Sequence, residues 1–206
     1  MKGIIFSGPM VRAIWERRKT VTRRPVKLPD GFIPDCAFSA EMETPPVWFD
    51  FFSGDYVMSK RVKSPYRPGE IVYVKETFTA TKQKDVILYR ADPFFETMPK
   101  GDLGRDWNWT PSIQMPAWAA RLKLEIVSVR PERLQEITEE DVVKEGIARL
   151  STDLGIIYVS DGIPSHWTKD PIDSYRDLWN SIYGTGSWDK NEWVWRIEFR
   201  EHWRAA

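Results

Sequence analysis

The clearest alternation of apolar and polar positions runs through GEIVYVKETF (69–78), where Val72, Val74, Glu76 and Phe78 fall on one face of an extended segment. The spacing predicts a strand that aims the Glu76 carboxylate where its neighbours are apolar. EWVWRIEFRE (192–201) repeats the pattern, with Trp193, Trp195, Ile197 and Phe199 on one face. Strands are also expected at 86–90 and 121–130, and KGIIFS (2–7) reads as a short buried one. Helical spacing takes over after Ser7-Gly8-Pro9, a helix start with proline in the first turn. Val11, Ile14 and Trp15 predict an amphipathic helix over 9–19 whose last turn carries Arg17, Arg18 and Lys19, cations that suit the dipole there. TVTRRP (20–25) then alternates like a strand, halted by Pro25. ITEEDVVKEGI (137–147) is a compact helix: Thr138 caps it, Asp141 stands in the capping-box position and Gly146 supplies the stop. DPIDSYRDLWNSIYG (170–184) predicts a second helix of the same kind.

Pro25, Pro29, Pro34, Pro45, Pro46, Pro65 and Pro68 mark the stretch after the second strand as an irregular insertion. Inside it VWFDFF and YVMSKRV flank Ser53-Gly54-Asp55 like a hairpin. Strands dominate, with a few short helices at uneven spacing. The expectation is therefore an α+β chain forming one domain over 1–206, a small β-barrel with helices packed around it.

Charge changes the picture by exclusion. The 30 basic and 30 acidic side chains balance, so nucleic-acid contact requires a local patch. Eleven Trp, 10 Phe and 7 Tyr within 206 residues exclude a disordered chain and point to a core or pocket lined with rings. The single Cys36 excludes an internal disulfide framework and a cysteine-rich zinc site, and His166 and His202 are too far apart in sequence to suggest a metal centre. No apolar run reaches membrane-spanning length and MKGIIFSGPM does not read as a secretory signal, so a soluble cytoplasmic protein is expected. Phosphate-binding loops, dinucleotide glycine fingerprints, serine nucleophile elbows and HExxH are missing, and no cofactor or metal is expected.

The residues left to carry chemistry begin in RRKTVTRRP (17–25). Lys19 and Thr22 sit three apart across a helix end, where a turn brings them together, and a buried lysine can activate a weak hydroxyl nucleophile. Glu145 stands immediately before the stop glycine of its helix, where the negative end of the dipole disfavours an anion. That placement suits a proton-shuttling group; the plainer reading is a solvated glutamate paired with Lys144. Arg12, Arg17, Arg18, Lys19, Arg23, Arg24 and Lys27 give the first segment a basic face opposed only by Glu16, which suits backbone phosphates.

In combination, RRKTVTRR, GEIVYVKETF, ITEEDVVKEGI and WVWRIEF resemble, in this order, the ASCH family of PUA-like barrels. FSGPMVRAI, YRAD and WTPSIQMPAWAARL are similar to segments of longer ASCH-like proteins of bacteriophages and prophages, which implies a host-cytoplasmic location. The resemblance leaves 26–66 and 148–170 as insertions. Small bacterial members are amidohydrolases that remove the acetyl group from N(4)-acetylcytidine with a lysine, a threonine and a glutamate. Their GRKTxT segment falls on RRKTVT, which implies Lys19 and Thr22, and their glutamate falls on Glu145. The resemblance implies that Thr22 attacks the acyl carbonyl, Lys19 takes its proton and Glu145 assists proton transfer or positions water. Two departures stand out: Arg17 replaces the glycine before RKT, and residues 107–121 have no counterpart in the minimal enzymes. That segment is expected to line the pocket, with Ser112 and Gln114 bonding base edges, Met115 and Trp118 as a wall and Arg121 meeting an anion; the plainer reading places Trp107, Trp109 and Trp118 in the core. Ser7, Met10, Arg12, Arg23 and Glu76 complete the expected substrate-binding set. The partner is a modified nucleoside or single-stranded nucleic acid, RNA before DNA. The alternatives are a module that binds such a base without turnover, and a phage accessory protein that binds a host protein.

Overall fold

The computed structural model describes residues 1–39, 48–54, 58–80, 86–96, 108–153, 155–160 and 167–202. In chain order they form β1 (Gly3–Ile5), α1 (Gly8–Trp15), β2 (Val21–Pro25), β3 (Cys36–Ser39), β4 (Trp48–Ser53), β5 (Met58–Lys63), β6 (Ile71–Lys75), β7 (Phe78–Ala80) and β8 (Ile87–Tyr89). There follow α2 (Pro93–Glu96), β9 (Lys123–Arg133), α3 (Glu139–Lys144), β10 (Ala148–Thr152), β11 (Gly155–Val159), β12 (Trp167–Thr168), α4 (Pro171–Tyr183) and β13 (Trp193–Glu201). The chain is thus α+β and rich in strands, with short helices.

The main sheet has five strands in the order β1-β6-β9-β13-β2. β1 pairs parallel to β6, and the remaining neighbours are antiparallel. Among the described residues this sheet does not close into the expected barrel; β1 and β2 remain its edges. Side chains occupy the facing edge of β1: Arg24 donates to the Ile5 carbonyl (2.7 Å) and the Tyr66 hydroxyl to that of Gly3 (3.4 Å). Pro25, at the end of β2, has no N–H to offer.

β13 is buried on both faces. Trp193, Trp195, Ile197 and Phe199 pack against Val72, Val74, Leu124 and Ile126, as the alternation predicts. On the opposite face Val194 joins Leu134, Val142, Tyr175 and Trp179 in a second cluster under α3 and α4. The four positions grouped on 69–78 are all buried, although the ladder ends at Lys75 and β7 begins at Phe78.

Both insertions contain strands among their described residues. Within 26–66, β4 pairs with β3 and β5. The register includes the predicted hairpin partners, while Val47, Asp55, Tyr56 and Val57 of that reading lie outside the described residues. Phe49 packs on Trp195 at 5.3 Å and Phe51 on Trp193 at 5.4 Å, both edge to face, so this small sheet is fastened to the main core. Within 148–170, β10, β11 and β12 form another three-stranded sheet.

The first helix ends four residues before its predicted limit. Arg17 turns into the left-handed region (φ 58°), and the amides of Arg18 and Lys19 both donate to the Ala13 carbonyl. Arg17, Arg18 and Lys19 therefore lie beyond the helix instead of in its last turn, and the sharp reversal drives Lys19 inward.

Candidate active site

Lys19 forms an isolated antiparallel bridge with Glu145, and the Thr20 amide donates to the Lys144 carbonyl at 2.8 Å. The approach depends on Gly146. Its φ of 101° disfavours any side chain, and a Cβ there would stand 3.1 Å from that of Ala13 and 3.3 Å from that of Lys19. The glycine read as a helix stop thus also lets two segments of the site meet.

Lys19 is 1% exposed. Its Nζ donates to Glu145 Oε2 (2.7 Å), the Glu145 carbonyl (2.7 Å) and the Val21 carbonyl (2.9 Å), one acceptor for each ammonium hydrogen. Burial drives its pKa below the ordinary lysine value; the Glu145 charge opposes the shift, and the nearby Arg24 and Arg23 charges add to it. Lys144 pairs instead with Glu140 at 2.6 Å, so Lys19 takes the place of the local partner expected for Glu145.

Around this pair lies a network that the alternation patterns do not disclose. Arg23 reaches Glu132 (2.7 Å), Asp141 (2.5 Å) and Glu145 (3.3 Å), and Tyr175 donates its hydroxyl to Glu145 Oε1 at 3.3 Å. Arg196, out of phase with the aromatic face of β13, grips both oxygens of Asp141 at 2.8 and 2.9 Å. The Asp141 amide bonds to Thr138 Oγ1 as the cap predicts, but its carboxylate turns to the arginines. Those bonds, Arg196 first, hold the Asp141 carboxyl well below the usual range against the opposing effect of burial. Burial pushes the Tyr175 phenol well above its ordinary value.

The sign of the Asp141 shift fixes a pH dependence. A depressed folded pKa contributes stability that is complete above the unfolded value of about 3.9 and lost as pH falls toward the folded one. Urea midpoints measured on acidification are expected to drop below about pH 4 in the native chain, and Asp141→Asn is expected to flatten that limb. Identical acid limbs would contradict the assignment.

Two small crevices adjoin Glu145, of about 30 and 10 Å³. Met10, Glu145 and Leu178 line both; Ser7 and Gly146 border the first, Thr22, Arg23, Arg24 and Trp179 the second. Lys19, Thr22 and Glu145 are therefore gathered as expected: Lys19 touches Glu145, and Thr22, 2% exposed, shares its crevice. Trp179 Nε1 is buried without a hydrogen-bond partner, an orphan donor on a residue that lines the same crevice.

Of the expected substrate-binding residues, Ser7, Met10 and Arg23 line these crevices, and Arg12 lines neither. Glu76, Met115 and Arg121 form a separate staple. The Arg121 guanidinium lies 3.9 Å from the ring centres of both Trp15 and Tyr89 and is bidentate to Glu76 (2.9 and 2.8 Å), with Asp92 on its other side. Two carboxylates thus occupy the arginine expected to meet an anion. Burial raises the Glu76 pKa, opposed by Arg121. Met115 is buried and its Sδ accepts from the Glu76 amide at 3.2 Å. Ser112 sits in a short 3-10 turn with Gln114, and Trp118 is 53% exposed. None of these residues lines the Thr22 crevice. Trp107 and His166 lie outside the described residues.

Tyr175, Trp179 and Arg196 are the members of the site that sequence reasoning missed. Their signal was a polar side chain on the second face of β13 and ring side chains on the buried face of α4. Among the described residues, no group of three His, Cys, Asp or Glu side chains gathers to hold a metal, and no helix is long and apolar enough to cross a membrane. Comparison with family models, curated proteins and solved structures finds no match.

Proposed function

We propose that the chain is a hydrolase that removes an acyl group from a modified base such as N(4)-acetylcytidine, as a nucleoside or within a nucleic acid, and that its sheet and helices are an elaborated ASCH, PUA-like domain. The observation that carries this reading is the buried Lys19–Glu145 pair at 2.7 Å, of which Glu145 lines the same crevice as Thr22. Arg17 adds to it: the resemblance assigns a glycine there, and φ 58° is a conformation that glycine adopts without strain.

Thr22 needs an acceptor for its hydroxyl proton. As an ammonium with three acceptors Lys19 has no lone pair, but burial lowers its pKa and so favours loss of one proton, which leaves an amine there. The amine takes the Thr22 proton as Oγ1 attacks the acyl carbon. The carbonyl oxygen gains charge, and the orphan Trp179 N–H is a donor for it. Collapse of the adduct breaks the C–N bond while the leaving amine receives a proton from the pair, and water then cleaves the Thr22 ester to free acid.

A second reading, recognition of the base without turnover, is favoured by one observation: Lys19, Arg23 and Tyr175 already occupy both Glu145 oxygens. Incubation with N(4)-acetylcytidine and other N-acylated nucleosides, followed by chromatography, separates the two. Deacylated base and free acid are expected; intact substrate across the set, from folded protein, would overturn the hydrolase.

A further inference from the structure

A cleft of about 540 Å³ lies at the open seam of the main sheet, lined by Gly3 to Ile5 on one edge strand and by Arg24 and Pro25 on the other. We infer that this cleft is a binding site for a nucleoside phosphate, either free or as one unit of a single strand. It is distinct from the proposed reaction, and the inference holds whether or not Thr22 turns over a substrate.

Size is the first argument. The crevices beside Glu145 measure about 30 and 10 Å³, whereas the cleft falls within the roughly 300–1,000 Å³ of small-molecule sites.

Charge is the second. Arg24, Lys27 and Lys63 line the cleft and no Asp or Glu does. Glu70 is paired with Lys2 at 3.2 Å, and the same Lys2 ammonium donates to the Pro65 carbonyl. A chain with 30 basic and 30 acidic side chains has therefore segregated cations at this seam. A phosphate is the anion that lysine and arginine side chains hold as point charge and fork together.

Aromatic rings suit the planar part of the ligand. Tyr66 is a half-buried wall whose hydroxyl is tied to Gly3, and Trp195 closes the floor, fixed edge to face by Phe49. A ring held in place by its own hydrogen bond is ready for base stacking.

An extended peptide is the natural rival at an open sheet edge. It is disfavoured because the Gly3 and Ile5 carbonyls already accept from Tyr66 and Arg24, and Pro25 has no N–H. The recognition surface is made of side chains, and the 26–66 insertion supplies Lys27, Val62, Lys63, Pro65 and Tyr66 to it. That gives the insertion a role that its proline content does not suggest.

The test is fluorescence anisotropy of the full chain with labelled single-stranded RNA and DNA oligonucleotides, competed by cytidine monophosphate and by polyglutamate. Arg24 also borders the Thr22 crevice, so the variants are placed elsewhere: Lys27→Glu with Lys63→Glu, both exposed, and Tyr66→Ala. Binding is expected to weaken with salt, with a slope of about −0.7 per phosphate neutralised. The double charge reversal should weaken it at least about ten-fold and flatten the slope, and Tyr66→Ala should weaken it by roughly five-fold or more at every salt concentration. Lys190→Glu, exposed and outside the cleft, should bind like the native chain. Displacement by the mononucleotide assigns the free ligand, and binding of strands alone assigns the polymer; both uphold the site. No binding of any of these, native affinity in the double variant, or equal displacement by polyglutamate would overturn it.

Discussion

Replacing Arg23 with methionine is expected to destabilise the fold by about 3–5 kcal/mol, the usual cost of stranding buried charge. Arg23 is 2% exposed and serves Glu132, Asp141 and Glu145, so its loss leaves three buried carboxylates short of a partner. Asp141 keeps Arg196 and Glu145 keeps Lys19, but Glu132 retains only the exposed Arg130 at 3.3 Å. Arg23→Lys should fall between native and methionine, because an ammonium cannot reproduce the fork that meets two carboxylates at once. Urea unfolding at neutral pH measures both. A loss under about 1 kcal/mol for the methionine variant would mean that these carboxylates are solvated and that the network does not hold the site together.

Lys19→Met should act on both stability and chemistry. It removes the proposed base, for which a loss of about 10²–10⁴-fold in turnover is ordinary, and it strands Glu145 at a comparable cost to the fold. The two effects can be separated. Glu145→Gln in the same chain neutralises the stranded group while keeping its shape toward Arg23 and Tyr175, so the double variant should regain stability and recover no turnover. Recovery of turnover together with stability would reduce Lys19 to a structural cation.

The parts of this molecule that were legible in the sequence are those governed by local rules. Period-two alternation located β6 and β13, and Thr138 and Gly146 marked the limits of α3, because caps and pleats involve neighbours a few residues apart. Left-handed backbone at a non-glycine residue carries no such signature. Arg17 therefore passed as a helix-end cation, and the early stop of α1 that buries Lys19 went unseen. The two-sided burial of β13 was hidden for a different reason: the rings at 193, 195, 197 and 199 account for one core, and nothing in the alternation says that Val194 and Arg196 face a second. Within the candidate site, Lys19, Thr22 and Glu145 were named in advance, yet the pairing across 126 residues is long-range and came through resemblance alone. The contacts of the segment from Ser112 to Arg121 with Glu76, Asp92 and Trp15 were not legible, because its tryptophan, methionine and arginine have pocket-like chemistry and the partners are distant in sequence.

Thr22 offers the cleanest access to the central claim, because its side chain carries no charge and valine conserves its branching. Cytidine release from N(4)-acetylcytidine, measured side by side for the native chain and Thr22→Val with both shown to be folded, is the decisive comparison. The account expects turnover by the native chain and a loss of about 10³-fold or more in the variant, as removal of a nucleophile requires. Equal rates from the two proteins, or no release from either, would contradict it.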